Sequence, residues 1–338
     1  MPASAAIYGC QGMQLAPEER EFFRDAQPFG FILFARNCGT PDQIRALCDS
    51  LRDSIGAGGA PIFIDQEGGR VARLQPPHWR ARPPARWFGE LFERSPDDGR
   101  EATYLCARLI ANDLRGVGVT VNCAPVLDVP VAGANDIIGD RAFSLDPATV
   151  IELGRIVLDG HLDGGVLPVI KHIPGHGRAM ADSHLALPKV AASAKALSAH
   201  DFVTFRGLNH APIAMTAHVV YQAIDANRPA TTSARVVHSV IRGEIGFRGL
   251  LISDDLSMAA LQGPLGARTK AAMLAGCDIA LHCNGKLDEM KEVAGETKTL
   301  SRAALRRAED ALAQLRYPAG LDIEKAEARF AEMSGAAA

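Results

Sequence analysis

The chain has 338 residues, 47% of them hydrophobic and 22% charged, and its 36 basic and 39 acidic side chains give a formal net charge of −3. This is the composition of a globular protein; it excludes a disordered chain and lacks the positive charge that a nucleic-acid partner requires. No apolar run approaches the ~20 residues that span a membrane, so no membrane partner is predicted.

The cysteines and the N-terminus indicate the compartment. The seven cysteines are scattered and form no CxxC pair, so neither a disulfide framework nor a zinc knuckle is predicted. The first six residues lack the basic and long apolar segments of a secretory signal. We therefore expect a cytosolic protein with reduced thiols.

Short apolar runs rich in β-branched residues predict eight strands, at 5–10, 30–34, 61–65, 119–122, 167–171, 213–216, 250–254 and 278–282. Amphipathic segments between them predict helices, including 41–55 with Thr40 as N-cap, 97–116, 147–164 and 234–245. Strands that alternate with helices indicate a parallel sheet. Eight such strands within about 285 residues favour a single (β/α)₈ TIM-type barrel over an open doubly wound sheet.

The chain after the last predicted strand is charged and rich in alanine. Helical periodicity runs through 287–316, Pro318 and Gly320 interrupt it, and a short amphipathic helix follows at 323–333. We expect one domain over 1–338, with the barrel at about 5–285 and a C-terminal helical tail at about 286–333 on its exterior.

Polar residues stand at the carboxyl ends of five predicted strands: Asp65, Asn122, Lys171, Asp254 and His282. In a (β/α)₈ barrel the active site lies on that face, where strand ends and the following loops converge. The sequence therefore predicts a functional site there.

The densest polar cluster follows the fifth strand. Lys171, His172 and His176 stand in an irregular loop with proline and two glycines, and Asp182 and His184 come shortly after. Histidines and an aspartate at this spacing are plausible zinc ligands. An Asp-x-His pair equally suits acid/base chemistry, because the carboxylate orients the imidazole and stabilises its protonated form.

A second cluster follows the third strand, where Asp65 precedes a Gly-Gly turn that leads to Arg70 and Arg73. No GxxxxGK[ST] pattern is present, so a phosphate loop is not indicated. Carboxylates that accept from hydroxyl groups, next to arginines that donate, suit a sugar ligand. Structural ion pairing is the alternative.

The third cluster is the adjacent pair Asp254 and Asp255. Neighbouring side chains of a strand point to opposite faces, so we expect one carboxylate in the site and the other in a cap or pair. An ionised aspartate at this position is suited to attack the anomeric carbon of a sugar.

Together these three motifs resemble family 3 glycoside hydrolases, and among them the single-domain bacterial β-N-acetylglucosaminidases. The similarity runs from about residue 12 to 284 and includes further matching segments at 31–34, 124–128, 138–143 and 217–220. Two departures stand out: Ile173 replaces a common phenylalanine, and Gly9 stands where many relatives carry an aspartate. We expect both to affect the edge of the pocket.

The resemblance implies a role for each matching residue. Asp254 would be the nucleophile, and His184, paired with Asp182, would be the acid/base. His176 would support the loop. The sugar-binding positions would be Asp65, Arg73, Arg141, Lys171 and His172.

The resemblance implies a retaining exo-β-N-acetylglucosaminidase that needs no metal or other cofactor. Its substrate would be N-acetylglucosaminyl-1,6-anhydro-N-acetylmuramic acid, with or without peptide, in peptidoglycan recycling. Three alternatives stay open. They are a phosphorylase on the same fold, a metal-dependent amidohydrolase that uses the histidine cluster, and a sugar-binding protein without activity.

Overall fold

The computed structural model describes residues 3–133, 135–179 and 187–335. Its ten strands are β1 (Ser4–Gly9), β2 (Pro28–Leu33), β3 (Ile62–Ile64), β4 (Val121–Asn122), β5 (Leu167–Ile173), β6 (Lys189–Val190), β7 (Ile213–Thr216), β8 (Val220–Tyr221), β9 (Leu250–Asp255) and β10 (Ile279–His282). Eight of them pair in parallel into a closed barrel in the order β1-β10-β9-β7-β5-β4-β3-β2, while β6 and β8 form a separate small sheet. The predicted (β/α)₈ barrel is confirmed, and its eight strands lie within two residues of their predicted bounds.

In the described ranges, ten α-helices surround the barrel or follow it: α1 (Pro17–Ala26), α2 (Pro41–Ile55), α3 (Ala85–Arg94), α4 (Pro96–Gly116), α5 (Pro147–Asp163), α6 (Ala194–Gly207), α7 (Leu265–Ala275), α8 (Leu287–Glu296), α9 (Arg302–Leu312) and α10 (Ile323–Ser334). The segment predicted as a helix at 234–245 is a π-helix, Val236–Glu244. None of these helices combines the length and apolarity needed to cross a membrane.

Helix α2 shows how local signals set the bounds of an element. The Thr40 hydroxyl accepts from the Gln43 N–H at 3.3 Å, and Pro41 occupies the first helical position, where its missing donor costs nothing. At the other end Gly56 adopts a φ of 64°, which favours glycine. The predicted helix therefore begins and ends as expected.

The strands are buried on both faces, with side chains alternating between two apolar layers. Phe63, Val169 and Ile252 belong to the layer inside the barrel, whereas neighbours such as Ile64 and Leu251 pack outward against the helices. This is expected of a parallel barrel, whose interior is filled and whose exterior is covered. The alternation decides which strand-end residue enters the site.

Two tail helices cover different parts of the barrel. Ala304, Ala308 and Ala311 of α9 join the interior layer, so α9 closes the end of the barrel opposite the site rather than lying on its exterior as predicted. Its neighbour α10 packs on the outer helices, where the ring of Phe330 lies 6.0 Å from that of Trp87. The predicted helical segment 287–316 is interrupted between α8 and α9.

Candidate active site

A pocket of about 240 Å³ opens at the carboxyl-terminal end of the barrel. Strand ends and the loops after them converge here, which is where barrels of this type carry their active sites. Six of the eight predicted site residues line it: Asp65, Arg73, Arg141, Lys171, His172 and Asp254. The structure therefore brings together these residues from four separate segments of the chain.

The chain reverses after β3 and returns Arg73 to Asp65. Gln66 holds this turn, because its side-chain oxygen accepts from the N–H groups of Arg73 and Leu74 at 2.7 and 3.0 Å. Gly68 has a φ of 103°, and a Cβ there would collide with the Pro83 carbonyl. The backbone conformation of this turn therefore explains the Gly-Gly pair.

Asp65 is held by two cations. Its Oδ1 accepts from Lys171 Nζ at 2.8 Å, and its Oδ2 accepts from the Arg73 guanidinium at 3.2 Å. Burial disfavours the carboxylate, but the charges of Lys171 and Arg73 outweigh it and hold the pKa of Asp65 well below its usual range. Asp65 is therefore ionised, and its oxygens are available to hydroxyl donors of a ligand.

Glu67, which sequence reasoning did not assign to the site, completes this cluster. Its two carboxylate oxygens accept from Arg141 Nε and Nη2, each at 2.8 Å, and Oε1 lies 2.7 Å from Lys171 Nζ. Burial alone would raise the pKa of Glu67. The charges of Lys171 and Arg141 outweigh burial and lower this pKa to about 2. A signal was present: Asp65 and Glu67 are two residues apart, so in an extended chain they share a face.

His172 is oriented by Asp128, a second residue that sequence reasoning left out of the site. The His172 Nδ1 lies 2.7 Å from Asp128 Oδ2, and the same carboxylate accepts from the His176 backbone N–H at 2.6 Å. Asp128 is fully buried, and burial alone would raise its pKa. The interaction with His172 outweighs burial and keeps the pKa of Asp128 below the usual value. The sequence feature that could have indicated Asp128 is an acidic residue directly after an apolar run.

His176 lines the pocket in addition to bonding Asp128 through its backbone. Its ring nitrogens have no hydrogen-bond partner among the described residues. Burial lowers the pKa of His176 to about 4, so the ring is neutral near pH 7.

Asp254 and Asp255 have different surroundings, as strand alternation predicted. The Asp255 carboxylate accepts from the Ser257 N–H and hydroxyl and from the Cys283 N–H, at 2.7 to 3.2 Å. Asp254 accepts at Oδ1 from the Asp255 N–H at 2.8 Å, and among the described residues no donor reaches its Oδ2. Asp254 therefore presents a free carboxylate oxygen to the pocket.

Two of the five predicted strand-end residues lie outside the site. The Asn122 amide bonds the Gln66 backbone and His161, on the outer side of the barrel. His282 is also buried and faces Glu289 at 3.7 Å. The prediction that Asn122 and His282 belong to the site is wrong, because both side chains point outward from the barrel.

The two departures from the family pattern also have structural explanations. Ile173 packs in the outer apolar layer and does not line the pocket, contrary to expectation. Gly9 lies directly against the Cys283 carbonyl, which the Arg36 guanidinium also contacts, and a Cβ there would collide with that carbonyl. Close backbone approach accounts for this glycine.

The predicted acid/base pair, Asp182 and His184, lies outside the described residues. In the described ranges, no group of three or more His, Cys, Asp or Glu side chains is arranged to hold a metal ion. His172 is instead engaged with Asp128.

Comparisons with known proteins give a family and close relatives in sequence. Residues 7–315 match the family described as "Glycosyl hydrolase family 3 N terminal domain". A curated protein called "Beta-hexosaminidase" from Alkalilimnicola ehrlichii is 42% identical over 282 residues, which cover 82% of this chain and 80% of that protein. Another of that name from Thiobacillus denitrificans is 39% identical and covers 81% and 76%.

Solved structures extend the similarity over the whole fold. Native NagZ from Neisseria gonorrhoeae superposes with a TM-score of 0.88 and 28% identity, covering 98% of each chain. The same protein with N-trifluoroacetyl-D-glucosamine gives a TM-score of 0.87, 28% identity and 99% coverage of each chain. The family match, the curated relatives and the solved structures all indicate the same family. The chain therefore belongs to glycosyl hydrolase family 3 and is a glycoside hydrolase.

Proposed function

We propose that the enzyme is a retaining exo-β-N-acetylglucosaminidase that acts on N-acetylglucosaminyl-1,6-anhydro-N-acetylmuramic acid, with or without peptide, in peptidoglycan recycling in the cytoplasm. The curated β-hexosaminidases and the N-trifluoroacetyl-D-glucosamine complex of NagZ support the sugar class. The pocket lining supports a neutral polyhydroxylated ligand, because its cations already face carboxylates.

One observation carries the mechanism: Asp254 is the pocket carboxylate with a free oxygen. Among the described acidic residues that line the pocket, Asp65 and Glu67 are tied to cations and Asp255 to its own turn. Burial raises the pKa of Asp254, but His218 and His172 outweigh it and keep that pKa below the usual value. A desolvated, ionised and unpaired oxygen is what a nucleophile requires.

The proposed reaction has two displacements. In the first, Asp254 forms a bond to the anomeric carbon, the glycosidic C–O bond breaks, and His184 gives its proton to the departing oxygen. In the second, water attacks the same carbon, His184 takes its proton, and Asp254 leaves as a carboxylate. Asp65, Arg73, Arg141, Lys171 and His172 hold the sugar. Asp182 orients His184.

The test compares two chromogenic substrates, an N-acetyl-β-glucosaminide and the matching β-glucoside, each with and without phosphate. We expect turnover of the first only, with free N-acetylglucosamine as the product in both buffers. The disaccharide substrate is expected to give N-acetylglucosamine and the anhydro sugar. A sugar phosphate would instead identify a phosphorylase, and equal turnover of the glucoside would contradict the proposed sugar class.

A chelator is expected to leave activity unchanged, because the proposed mechanism uses the side chains of Asp254 and His184 and no metal ion. The measurement is the turnover of a chromogenic glucosaminide before and after exhaustive EDTA dialysis, with total metal determined on the same sample. A stoichiometric zinc whose removal abolishes activity and whose return restores it would favour the metal-dependent amidohydrolase.

Sugar binding is expected to be insensitive to pH between 8 and 5. The pKa of Glu67 is lowered to about 2 and that of Asp65 further, so their ion pairs persist below the ordinary titration range and are lost only as pH falls through these depressed values. The measurement is the KM of the glucosaminide across this interval. A several-fold rise in KM towards pH 5 would show that these ion pairs do not persist through this interval.

A further inference from the structure

Three buried polar side chains lie behind the strand end that carries Asp254. Thr216 ends β7, the neighbour of β9. His218 lies between β7 and β8, and Thr231 lies in a short 3-10 helix after β8, Ala230–Thr232. All three are fully buried, and none lines the pocket. Buried polar groups are costly unless they are hydrogen-bonded, so their partners indicate why they are present.

The three side chains form a chain of hydrogen bonds that begins and ends on one dipeptide. The Asp254 N–H donates to Thr216 Oγ1 at 3.2 Å, and Thr216 Oγ1 lies 2.8 Å from Thr231 Oγ1. Thr231 Oγ1 lies 2.8 Å from His218 Nδ1, and His218 Nε2 lies 2.9 Å from the Asp255 carbonyl. The peptide that carries Asp254 is thereby held at both ends.

Hydrogen-bonding capacity fixes the direction of two links of this chain, those to the Asp254 N–H and to the Asp255 carbonyl. A carbonyl only accepts, so His218 Nε2 carries the proton and donates to Asp255. Thr231 Oγ1 has three partners within hydrogen-bond distance: His218 Nδ1 and Thr216 Oγ1, each at 2.8 Å, and the Ala217 carbonyl, to which it donates at 3.1 Å. Thr216 keeps a lone pair for the Asp254 N–H.

We propose that His218 is a positioning residue that, with Thr231 and Thr216, fixes the backbone of Asp254 and so aims its free carboxylate oxygen at the anomeric carbon. The proposal rests on the proposed role of Asp254 as nucleophile. No described side chain holds that oxygen, so its direction depends on the backbone behind it. A misplacement of about 1 Å at a reacting atom can cost about 10²-fold in rate.

The electrostatics of the site agree with this arrangement. Burial raises the pKa of Asp254, and His218 is the largest of the influences that lower it. The same ring therefore supports both the direction and the ionisation of the carboxylate.

The test uses two pairs of variants. His218→Leu and Thr231→Val break the chain, whereas His218→Gln and Thr231→Ser keep a donor or a hydroxyl in place. We expect the first two to lower kcat about 10- to 100-fold with KM changed less than about twofold, because the sugar is held by other residues. The conservative variants are expected to recover most of kcat. The double variant His218→Leu/Thr231→Val is expected to lose no more than the worse single variant, because residues that act as a unit are not additive.

Thr269→Val is the matched control. Thr269 is equally buried, and its hydroxyl bonds the Leu265 carbonyl within α7, away from the pocket. It is expected to lower the melting temperature as Thr231→Val does while leaving kcat unchanged. If His218→Leu does not fold, the Thr231 pair gives the same comparison.

Two results would overturn the inference. The first is a kcat near wild type in folded Thr231→Val and His218→Leu despite a lower melting temperature, with Asp254→Ala inactive; the chain would then be structural only. The second is full turnover by Asp254→Ala, which would refute the proposed nucleophile and with it this inference.

Discussion

Asp254→Ala is expected to lower kcat about 10⁴-fold or more, since removal of a covalent nucleophile leaves only binding and the remaining groups to act. The fold is expected to persist, because the Asp254 side chain accepts one hydrogen bond, from the adjacent Asp255 N–H, and forms no ion pair with a described residue. The measurement is kcat on a chromogenic glucosaminide together with the melting temperature.

Asp255→Ala provides the matched comparison, with the same change one residue along. The Asp255 carboxylate accepts three hydrogen bonds, from Ser257 and Cys283, that tie the end of β9 to the chain after β10. Its loss is expected to cost about 1–3 kcal/mol of unfolding free energy, a cost that Asp254→Ala should not share. Retained turnover in folded Asp254→Ala would remove Asp254 from the mechanism.

His184→Ala is expected to produce a loss that depends on the leaving group. A nitrophenolate departs almost unaided, whereas the sugar oxygen of the disaccharide needs a proton, and general acid assistance contributes about 10²–10⁴-fold. We therefore expect the larger loss in glycosylation on the disaccharide. With the aryl substrate the covalent intermediate is expected to accumulate, because the same imidazole activates the water.

Asp182→Asn is expected to give a milder form of this result. In the proposed pair, an amide in place of the carboxylate removes the charge that would favour the protonated imidazole but retains an oxygen that accepts a hydrogen bond. The measurement is the ratio of kcat/KM for the disaccharide and the aryl glucosaminide in each variant. Equal losses on both substrates in His184→Ala would mean that this residue only positions its loop.

The positions of the barrel strands followed from the sequence because each strand is a short apolar run between turn residues. Short pairings such as β6 with β8 were missed, since two residues are too few to show a period. The position of α9 was also not predictable. Its small apolar face carries no sign that it packs against the end of the barrel rather than its side.

The strand-end residues show where sequence reasoning stops. Asp65, Lys171 and Asp254 enter the pocket, whereas Asn122 and His282 turn outward. In a parallel barrel both faces of a strand are apolar, so the sequence does not reveal which alternate set faces inward. The family resemblance included the three that line the pocket, because a resemblance matches individual positions and not a periodic pattern.

The central claim is that the free oxygen of Asp254 forms a covalent bond to the sugar. The direct measurement is mass spectrometry of peptides after incubation with a 5-fluoro glycoside of N-acetylglucosamine, which slows release of the intermediate. We predict one sugar per chain, on Asp254, and none on the Asp254→Ala variant. An adduct on Asp255 or Glu67 would contradict the account.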